Sequence, residues 1–557
     1  MTDYEKLAET IFPDIETMEY FEEKYPERDL PEGAVVTRFA PSPTGFIHIG
    51  GIYQCVFNTV VKQRSGGVLF LRIEDTDQER EVENGTIQII EGLKLFGIVC
   101  DEGNINEEEY IGNYGPYKQS ERRSMYHAFA KELIKRGKAY PCFLTKDELD
   151  KIREAQQRAK IRPGIYGEYA KYRDMPVDLA IAAIEKGDEY VIRFKSPGNA
   201  NRKIKLKDVV KGNLEMDEND EDLVILKRDG LPTYHFAHVV DDHLMRTTHA
   251  IRSDEWLPSM PKHVQMYHAL GLKPPHYVHY SPIEKQDGDI RRKISKRKDP
   301  EASALYYIEN GIPKEGVFDY LLNIANSGYE IWRKQNPKAS IFDFDLQLSK
   351  MSRSGALFDM NKLLDVCKIS VSYFTAEKLY DDALDWAEKY DKELAELLSK
   401  DKEYSLKVLN IERGKEKNPR KDIAKFSDVK NEIIYMYDDE FYKNIKTKED
   451  YNYQNINDNN DLIEIIEEYI KTYDINDDRD TWWEKIGNMS EKLGYAKAVK
   501  DYRAEPDKFK GHVGDISTVL RVAITGRNQT PDLYEIMNVL GKDKVDKRLE
   551  KAIETLK

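Results

Sequence analysis

The segment 35–73 constrains the fold most, because it predicts a strand, a helix and a second strand in immediate succession. The β-branched run 35–40 predicts a buried strand, apolar residues at helical spacing predict a helix over 50–64, and the apolar run 68–73 predicts another strand. Two strands joined through a helix are normally parallel, with a right-handed crossover. The sequence therefore predicts an α/β domain with a parallel sheet near the start of the chain.

The rest of the chain predicts more than one core. At 557 residues it is several times longer than a domain of ~150 residues. Short predicted strands alternate with helices up to about residue 300, and beyond it the apolar spacing is almost wholly helical. We therefore expect an α/β front followed by an all-helical back.

Composition and charge exclude several classes of protein. The net charge of −15 argues against a protein that coats nucleic acid, although a local basic surface on an acidic chain still permits a nucleic-acid enzyme. No stretch approaches the ~20 apolar residues of a membrane span, and the acidic start lacks the pattern of a secretory signal. The four cysteines lie far apart, without disulfide or metal-site spacing. We expect a soluble, cytoplasmic protein with no membrane partner.

The loop 43–51 lies where the first predicted strand gives way to the helix. Ligands of open parallel sheets bind beyond the carboxyl ends of the strands, where such loops gather. Gly50 and Gly51 would leave room for an anion at the start of the helix, and His48 could hydrogen-bond its phosphate oxygens. An isolated motif of this kind is also typical of a capped helix with a packed histidine.

A second candidate phosphate loop is the basic segment 291–298, in which six of eight residues are basic. Lys293 and Lys296 lie three residues apart and could clamp a polyphosphate, since lysine acts as a mobile point charge. Such a run is equally typical of a solvated or RNA-facing surface. The two loops together support a phosphate-binding site more strongly than either loop does alone.

Six blocks in order resemble those of glutamyl-tRNA synthetase, a class I aminoacyl-tRNA synthetase family; the blocks are residues 41–51, 72–77, 231–235, 239–243, 251–256 and 293–297. Residues 352–359 and 520–527 are similar to blocks of the bacterial-type members. Those members carry an all-helical anticodon-binding region, which agrees with the helical pattern of the second half. The ordered agreement of six blocks makes the resemblance specific.

The resemblance implies a Rossmann-like α/β catalytic domain that an α/β insertion interrupts, followed by all-α stem-contact and anticodon-binding domains. The implied division is an acidic N-terminal extension (1–33), the first catalytic half (34–118), an acceptor-binding insertion (119–229), the second catalytic half (230–290), a second-signature and stem-contact region (291–372) and a helical anticodon-binding region (373–557).

The resemblance also implies the residues of the site. They are His48, Lys293 and Lys296 for catalysis; Arg38, Ser42, Glu74, Tyr234 and Arg252 for glutamate; and His48, Gly50, Gly51, Glu255, Trp256, Lys293 and Lys296 for ATP. Arginines suit the two carboxylates of glutamate because guanidinium binds carboxylate bidentately. His238 departs from the asparagine that many members have, which leaves the contacts of the side-chain carboxylate less defined.

The implied reaction joins glutamate to tRNA(Glu) with ATP and Mg²⁺, and tRNA(Gln) stays open as a second substrate. We expect a monomer and no protein-bound metal, zinc included. For tRNA we expect contacts from 119–229, from the region after 300 and from the helical end, with Arg353, Arg521, Arg527 and the basic stretch 413–425 as candidates.

Three rival interpretations remain. The helical back and the arginine pair argue against a glutaminyl-specific synthetase, and the length argues against the shorter glutamyl-queuosine enzyme. A catalytically inactive RNA-binding paralogue is disfavoured by the presence of His48, Lys293 and Lys296. Turnover would separate that last interpretation from an enzyme, whereas tRNA binding would not.

Overall fold

The computed structural model describes residues 2–77, 82–414, 419–454, 456 and 458–557. The chain divides into two compact units. The front unit comprises Met1–Tyr307 and Phe318–Asp359, and the helical unit comprises Ile308–Val317 and Met360–Lys557. The finer six-part division stays a prediction.

The strands among the described residues all belong to the front unit. They are β1 Val36–Phe39, β2 Val68–Leu71, β3 Glu102–Asn104, β4 Tyr110–Ile111, β5 Ala139–Cys142, β6 Val191–Phe194, β7 Lys203–Asp208, β8 Gly212–Asp217, β9 Val224–Leu226, β10 His249–Ser253, β11 His276–Tyr280, β12 Ile283–Asp287, β13 Ile290–Lys293 and β14 Ala356–Leu357.

The helices up to residue 335 are α1 Asp3–Ile11, α2 Met18–Lys24, α3 Ile49–Ser65, α4 Gly85–Leu95, α5 Arg123–Lys135, α6 Lys146–Arg158, α7 Val177–Glu185, α8 Tyr234–Leu244, α9 Met260–Leu270, α10 Ala304–Glu309, α11 Lys314–Ala325 and α12 Ser327–Gln335. No helix among the described residues is both long and apolar enough to cross a membrane.

The predicted strand–helix–strand segment is β1, α3 and β2, and β1 pairs with β2 in parallel. Strands β10 and β11 form a second parallel pair. The two pairs adjoin, because the Thr248 N–H donates to the Val36 carbonyl at 3.0 Å. Strands β1 and β10 therefore end side by side, and the loops that follow them meet at one edge, where ligands of such sheets bind.

Part of the predicted insertion joins this second sheet. Strand β7 forms an antiparallel hairpin with β8 and also pairs in parallel with β11, with Asp208 opposite Tyr277. The end of β7 therefore lies beside the first residues of β11.

The acidic start of the chain is an integral part of the front unit. Helix α1 begins with a capping box between Thr2 and Glu5. Leu7, Phe21 and Tyr25 are buried in one hydrophobic cluster with the apolar face of α5. Burial of such side chains drives docking of the segment, so it packs as a layer of the domain.

The helical unit confirms the helical expectation for the back of the chain. Its helices are α13 Met360–Ser372, α14 Ala376–Tyr390, α15 Lys392–Ser399, α16 Lys402–Leu409, α17 Phe426–Ile433, α18 Asp438–Asn444, α19 Asn459–Thr472, α20 Arg479–Lys492, α21 Val499–Ala504, α22 Val513–Thr525, α23 Leu533–Leu540 and α24 Lys542–Leu556. The fully buried Arg548 joins several of them, since its guanidinium donates to the carbonyls of Tyr435 and Ile524 and to Asp438.

Candidate active site

A cavity of about 250 Å³ lies beyond the carboxyl ends of β10 and β11. Its lining brings together six of the seven residues predicted for ATP, namely His48, Gly50, Gly51, Glu255, Trp256 and Lys293. Arg252, predicted for glutamate, lines the same cavity. Residues more than 240 positions apart in sequence thus share one concave site in the front unit.

His48 is the N-cap residue of α3, and its Nδ1 accepts the Gly50 N–H at 2.9 Å. Burial, followed by the nearby Lys293 and Lys296, lowers the pKa of His48 to about 4. A neutral imidazole whose Nδ1 accepts must carry its proton on Nε2. His48 is therefore a neutral donor beside the cavity, and the helix cap fixes its tautomer.

The two glycines after His48 permit close packing as well as access to the cavity. A Cβ at position 51 would lie 3.0 Å from Ile47 Cγ2 and 3.1 Å from Phe39 Cζ. A Cβ at position 50 would lie 3.1 Å from His48 Nδ1. Larger residues here would displace both the histidine and the start of α3.

The two lysines of the second loop differ in position. Lys293 ends β13, and its Nζ contacts Glu255 Oε2 at 2.6 Å. The Lys296 Nζ donates to the Phe46 carbonyl in the first loop, and burial lowers its pKa. Lys296 is not among the described residues that line the cavity. We call residues 41–51 and 293–297 together the phosphate loops.

Trp256 is part of the cavity wall. Its ring centroid lies 4.4 Å from that of Tyr234, and 38% of the residue is exposed. Trp256 therefore does not belong to the hydrophobic core. An exposed indole face beside cationic groups offers a surface on which an adenine could stack.

Behind the cavity lies a buried ion-pair network. Asp242 on α8 accepts hydrogen bonds from Arg38 Nε at 3.1 Å and from Arg72 Nη1 at 2.6 Å. Arg72 Nη2 donates to Glu74 at 3.0 Å. Burial alone would raise the pKa of Asp242, but the two guanidinium groups hold it below its usual range. Each of these charges has an opposite charge within contact distance.

Arg252 is held differently. Only 4% of it is exposed, and its guanidinium donates to Tyr234 Oη at 3.2 Å and to His279 Nε2 at 3.0 Å, with His263 Nδ1 at 3.4 Å. Burial lowers the pKa of both histidines, so they are neutral. Among the described residues Arg252 forms no ion pair with a carboxylate. We call Arg38, Arg72, Glu74, Asp242 and Arg252 the arginine cluster.

One predicted glutamate-site residue, Ser42, and the family position at His238 differ from the rest of the site. Ser42 is exposed on the loop after β1. His238 occupies the position of the family's asparagine; its Nδ1 lies 3.2 Å from Asp242 Oδ2, and its Nε2 lies 3.2 Å from Tyr277 Oη. His238 therefore packs against the arginine cluster as a neutral ring, because burial lowers its pKa.

Sequence reasoning assigned no role to Arg72, Asp242 or His279. The first two lie inside recognised blocks, and a pair of aspartates directly after the apolar residues 239–240, at 241–242, was the available signal. Buried charges are almost always paired, so such a pair predicts buried cationic partners. His279 lies inside a predicted strand that carried no signal of its own.

The structure corrects one of the predicted tRNA contacts. Arg413 is 9% exposed and donates to the carbonyls of Leu409 and Val371 at 2.9 Å each. It therefore holds the unit together instead of meeting solvent or phosphate, and residues 415–418 of the same basic stretch lie outside the described residues. The Arg527 guanidinium lies 4.9 Å from the Tyr435 ring centroid. Arg353, Arg521 and Arg527 stay predictions.

Comparisons with known proteins show the family of the chain. Residues 34–365 match the family described as tRNA synthetases class I (E and Q), catalytic domain, and residues 378–553 match the family described as anticodon binding domain. The chain is 48% identical over 551 residues to a glutamate–tRNA ligase of Clostridium perfringens strain SM101, covering 99% of each chain. It is 44% identical over 554 residues to a glutamate–tRNA ligase of Acetivibrio thermocellus, covering 99% of this chain and 100% of that one.

The chain belongs to the glutamate–tRNA ligases, a class I tRNA synthetase family. A solved relative is the glutamate tRNA ligase from Elizabethkingia meningosepticum in complex with its amino acid. It is similar with a TM-score of 0.69 at 28% identity, over 94% of this chain and 100% of that one. Family membership confirms the predicted resemblance and the predicted fold class, a parallel-sheet catalytic domain followed by a helical anticodon-binding domain.

Proposed function

We propose that the protein ligates L-glutamate to tRNA(Glu) in two steps. A glutamate carboxylate oxygen attacks the α-phosphorus of ATP, the bond to the β-phosphate breaks, and pyrophosphate leaves. A hydroxyl of the terminal adenosine of tRNA then attacks the carbonyl of glutamyl-adenylate, and AMP leaves. The protein acts as a glutamate–tRNA ligase.

The observation that carries this proposal is the environment of Arg252. Its buried charge has neutral partners, Tyr234 and two histidines, and it lines the cavity that His48 and Lys293 also line. A buried cation that lacks a carboxylate partner favours an anionic ligand, because desolvated charges must be paired. Glutamate supplies a carboxylate, and the neutral amide of glutamine does not supply one at its side chain.

The remaining predicted residues have distinct proposed roles. Arg38 would support the second carboxylate while it keeps Asp242 as its partner, and Glu74 would hold the ammonium group. Tyr234 and Ser42 would add neutral hydrogen bonds. Ionised Glu74 suits this role, because a carboxylate beside Arg72 Nη2 can also bind an ammonium group, although burial raises its pKa. Discrimination against glutamine by ~10⁴–10⁵ is attainable where a site's buried polar groups lose their partners.

The phosphate loops would stabilise charge that develops on ATP. His48 would donate its Nε2–H to the α-phosphate, and Lys293 and Lys296 would bind the β- and γ-phosphates. Phosphoryl transfer depends mainly on such positioning and electrostatic stabilisation. Lys293 would exchange Glu255 for phosphate, since the exposed pair it now forms is weak. Glu255, Trp256, Gly50 and Gly51 would shape the nucleoside end of the site.

Mg²⁺ would enter bound to ATP and offset part of the phosphate charge. Glu255 is the carboxylate of the cavity lining that fits such an ion, because Mg²⁺ prefers one or two carboxylates together with phosphate oxygens. We propose no zinc site.

The decisive experiment is glutamate-dependent ATP–pyrophosphate exchange, with and without tRNA(Glu) and with glutamine as the control amino acid. Exchange with glutamate, and its absence with glutamine, is the expected result. Exchange that also requires tRNA would mean that tRNA binding precedes activation. Absence of exchange with both amino acids under every condition would contradict the proposal and favour an inactive RNA-binding relative.

The use of tRNA(Gln), the cellular location and the oligomeric state are also proposals. Charging of tRNA(Gln) with glutamate would be tested directly by acylation of purified tRNA(Gln). We propose a cytoplasmic location, because all four cysteines are free thiols, as expected in a reducing compartment. We also propose a monomer. Size-exclusion chromatography with light scattering would test the monomer, for which a mass near 64.9 kDa is expected.

A further inference from the structure

A chain of buried polar groups ends on Arg252. Asp208 at the end of β7 and His279 in β11 are 1% and 0% exposed. Asp208 Oδ2 lies 2.7 Å from His279 Nδ1, and His279 Nε2 lies 3.0 Å from Arg252 Nε. The carboxylate comes from the predicted insertion, and the other two groups come from neighbouring strands of the sheet.

The direction of these hydrogen bonds follows from the chemistry of arginine. Guanidinium can only donate, so His279 Nε2 must accept and its Nδ1 must carry the proton. That proton points at Asp208, which accepts it. We propose that Asp208 and His279 are positioning residues, which hold Arg252 in the orientation that binds a carboxylate of glutamate. The inference rests on the proposed function.

Asp208 must be a carboxylate for this arrangement to hold. Its Oδ1 accepts the backbone N–H groups of Val210 at 2.9 Å and Lys211 at 2.8 Å, and its Oδ2 accepts both the N–H and the ring Nδ1–H of His279. Burial alone would raise the pKa of Asp208, but the bonds from His279 and the Lys211 amide hold it below its usual range. An amide at this position would turn an NH₂ group toward N–H donors on one side or the other.

The neutral histidine serves a purpose that a carboxylate could not. A carboxylate in direct contact with Arg252 would neutralise the guanidinium and compete with the substrate. The imidazole accepts from Nε without cancelling the charge. Because Tyr234 and His263, the partners of Nη1 and Nη2, are also neutral, the guanidinium keeps its charge for a carboxylate. Hydrogen bonds to a charged group contribute more than neutral ones and restrict its rotation.

Two substitutions of His279 distinguish positioning from general support. The amide of His279→Gln reaches the place of Nε2 and can still accept from Arg252. The shorter amide of His279→Asn reaches the place of Nδ1 and cannot. We expect the Asn variant to raise the KM for glutamate about tenfold to hundredfold, the range of one hydrogen bond to a charged group. The KM for ATP is expected to be unchanged, and the Gln variant to keep most of the affinity for glutamate.

Asp208→Asn should reproduce the rise in the KM for glutamate, because it favours the wrong tautomer of His279. His276→Gln is the matched control, since His276 is an exposed histidine at the start of the same strand; it should change neither KM. Equal changes of both KM values in the two His279 variants would overturn the inference, as would an unchanged KM for glutamate in His279→Asn. If the unmodified protein exchanges no pyrophosphate with glutamate, the proposed function fails too, whereas failure of the variants alone overturns only the positioning role.

Discussion

The arginine cluster and the phosphate loops are both basic, yet their charges are held in opposite ways. Arg38 and Asp242 have side chains that are 4% and 0% exposed, whereas those of Lys293 and Glu255 are 50% and 49% exposed. The buried pair cannot exchange its partner for water or a ligand without a large desolvation cost. The exposed pair can exchange Glu255 for phosphate at little cost.

This difference assigns different tasks to the two regions. A preorganised, desolvated cluster favours a ligand of one charge and shape, because a mismatched ligand leaves a buried group unpaired. Exposed lysines adapt to a polyphosphate whose charge distribution changes during the reaction. Selectivity for the amino acid is therefore expected in the cluster, and acceleration of the chemical step in the loops.

Removal of the charge that joins two arginines of the cluster should have the largest effect. Asp242→Asn leaves Arg38 and Arg72 buried with less compensation, and breaking such a buried pair costs about 3–5 kcal/mol of unfolding free energy. Urea unfolding followed by circular dichroism measures it. The control is Asp217→Asn, which removes an exposed pair with Lys203 worth about 0–1 kcal/mol. Equal effects of the two substitutions would contradict the comparison.

The next largest effect is expected on turnover. Lys296→Ala should lower kcat about 10²–10³-fold, the usual loss when one group that stabilises transition-state charge is removed. The KM for glutamate should stay the same, because the lysine contacts the Phe46 carbonyl and not the arginine cluster. Steady-state aminoacylation measures both, with Lys298→Ala from the same basic segment as the control. Unchanged turnover in the first variant would remove Lys296 from the mechanism.

A conservative change in the cluster should act on affinity. Arg252→Lys keeps the charge but loses the planar fork, so the KM for glutamate should rise about tenfold to hundredfold. Arg136→Lys, which alters an exposed pair with Glu132, is the matched control and should leave the KM unchanged. A rise in the KM for ATP alone would place Arg252 in the nucleotide site and not in the glutamate site.

The smallest effect concerns pH. Because burial and two lysines lower the pKa of His48 to about 4, its ring is neutral in the free enzyme above about pH 5. The value of kcat/KM for ATP reports the free enzyme, so it should show no inflection from His48 near pH 6.5. A pH–rate profile of the enzyme beside that of His48→Gln tests this. An inflection near pH 6.5 that disappears in the variant would show an ordinary histidine.

Local structure was largely predictable. Strands β1 and β2 and helix α3 lie within about two residues of their predicted bounds, because β-branched runs, apolar spacing and a terminal glycine are local signals. The structure of the second phosphate loop was less predictable. Lys293 is the last residue of β13, where an irregular loop was expected. A short, charged hairpin strand has no apolar alternation to reveal it.

The sequence by itself determined the family, the parallel α/β front, the helical back and the residue types of the site, since these depend on local patterns and on ordered blocks. Only the tertiary structure decided which charges are paired. It joined Asp242 to Arg38 and Arg72, buried Arg413 inside the helical unit, and set His279 between Asp208 and Arg252. The reason is physical. The interaction energy and the pKa of a charged group depend on its burial and its nearest partner, and both arise from contacts between residues far apart in the chain.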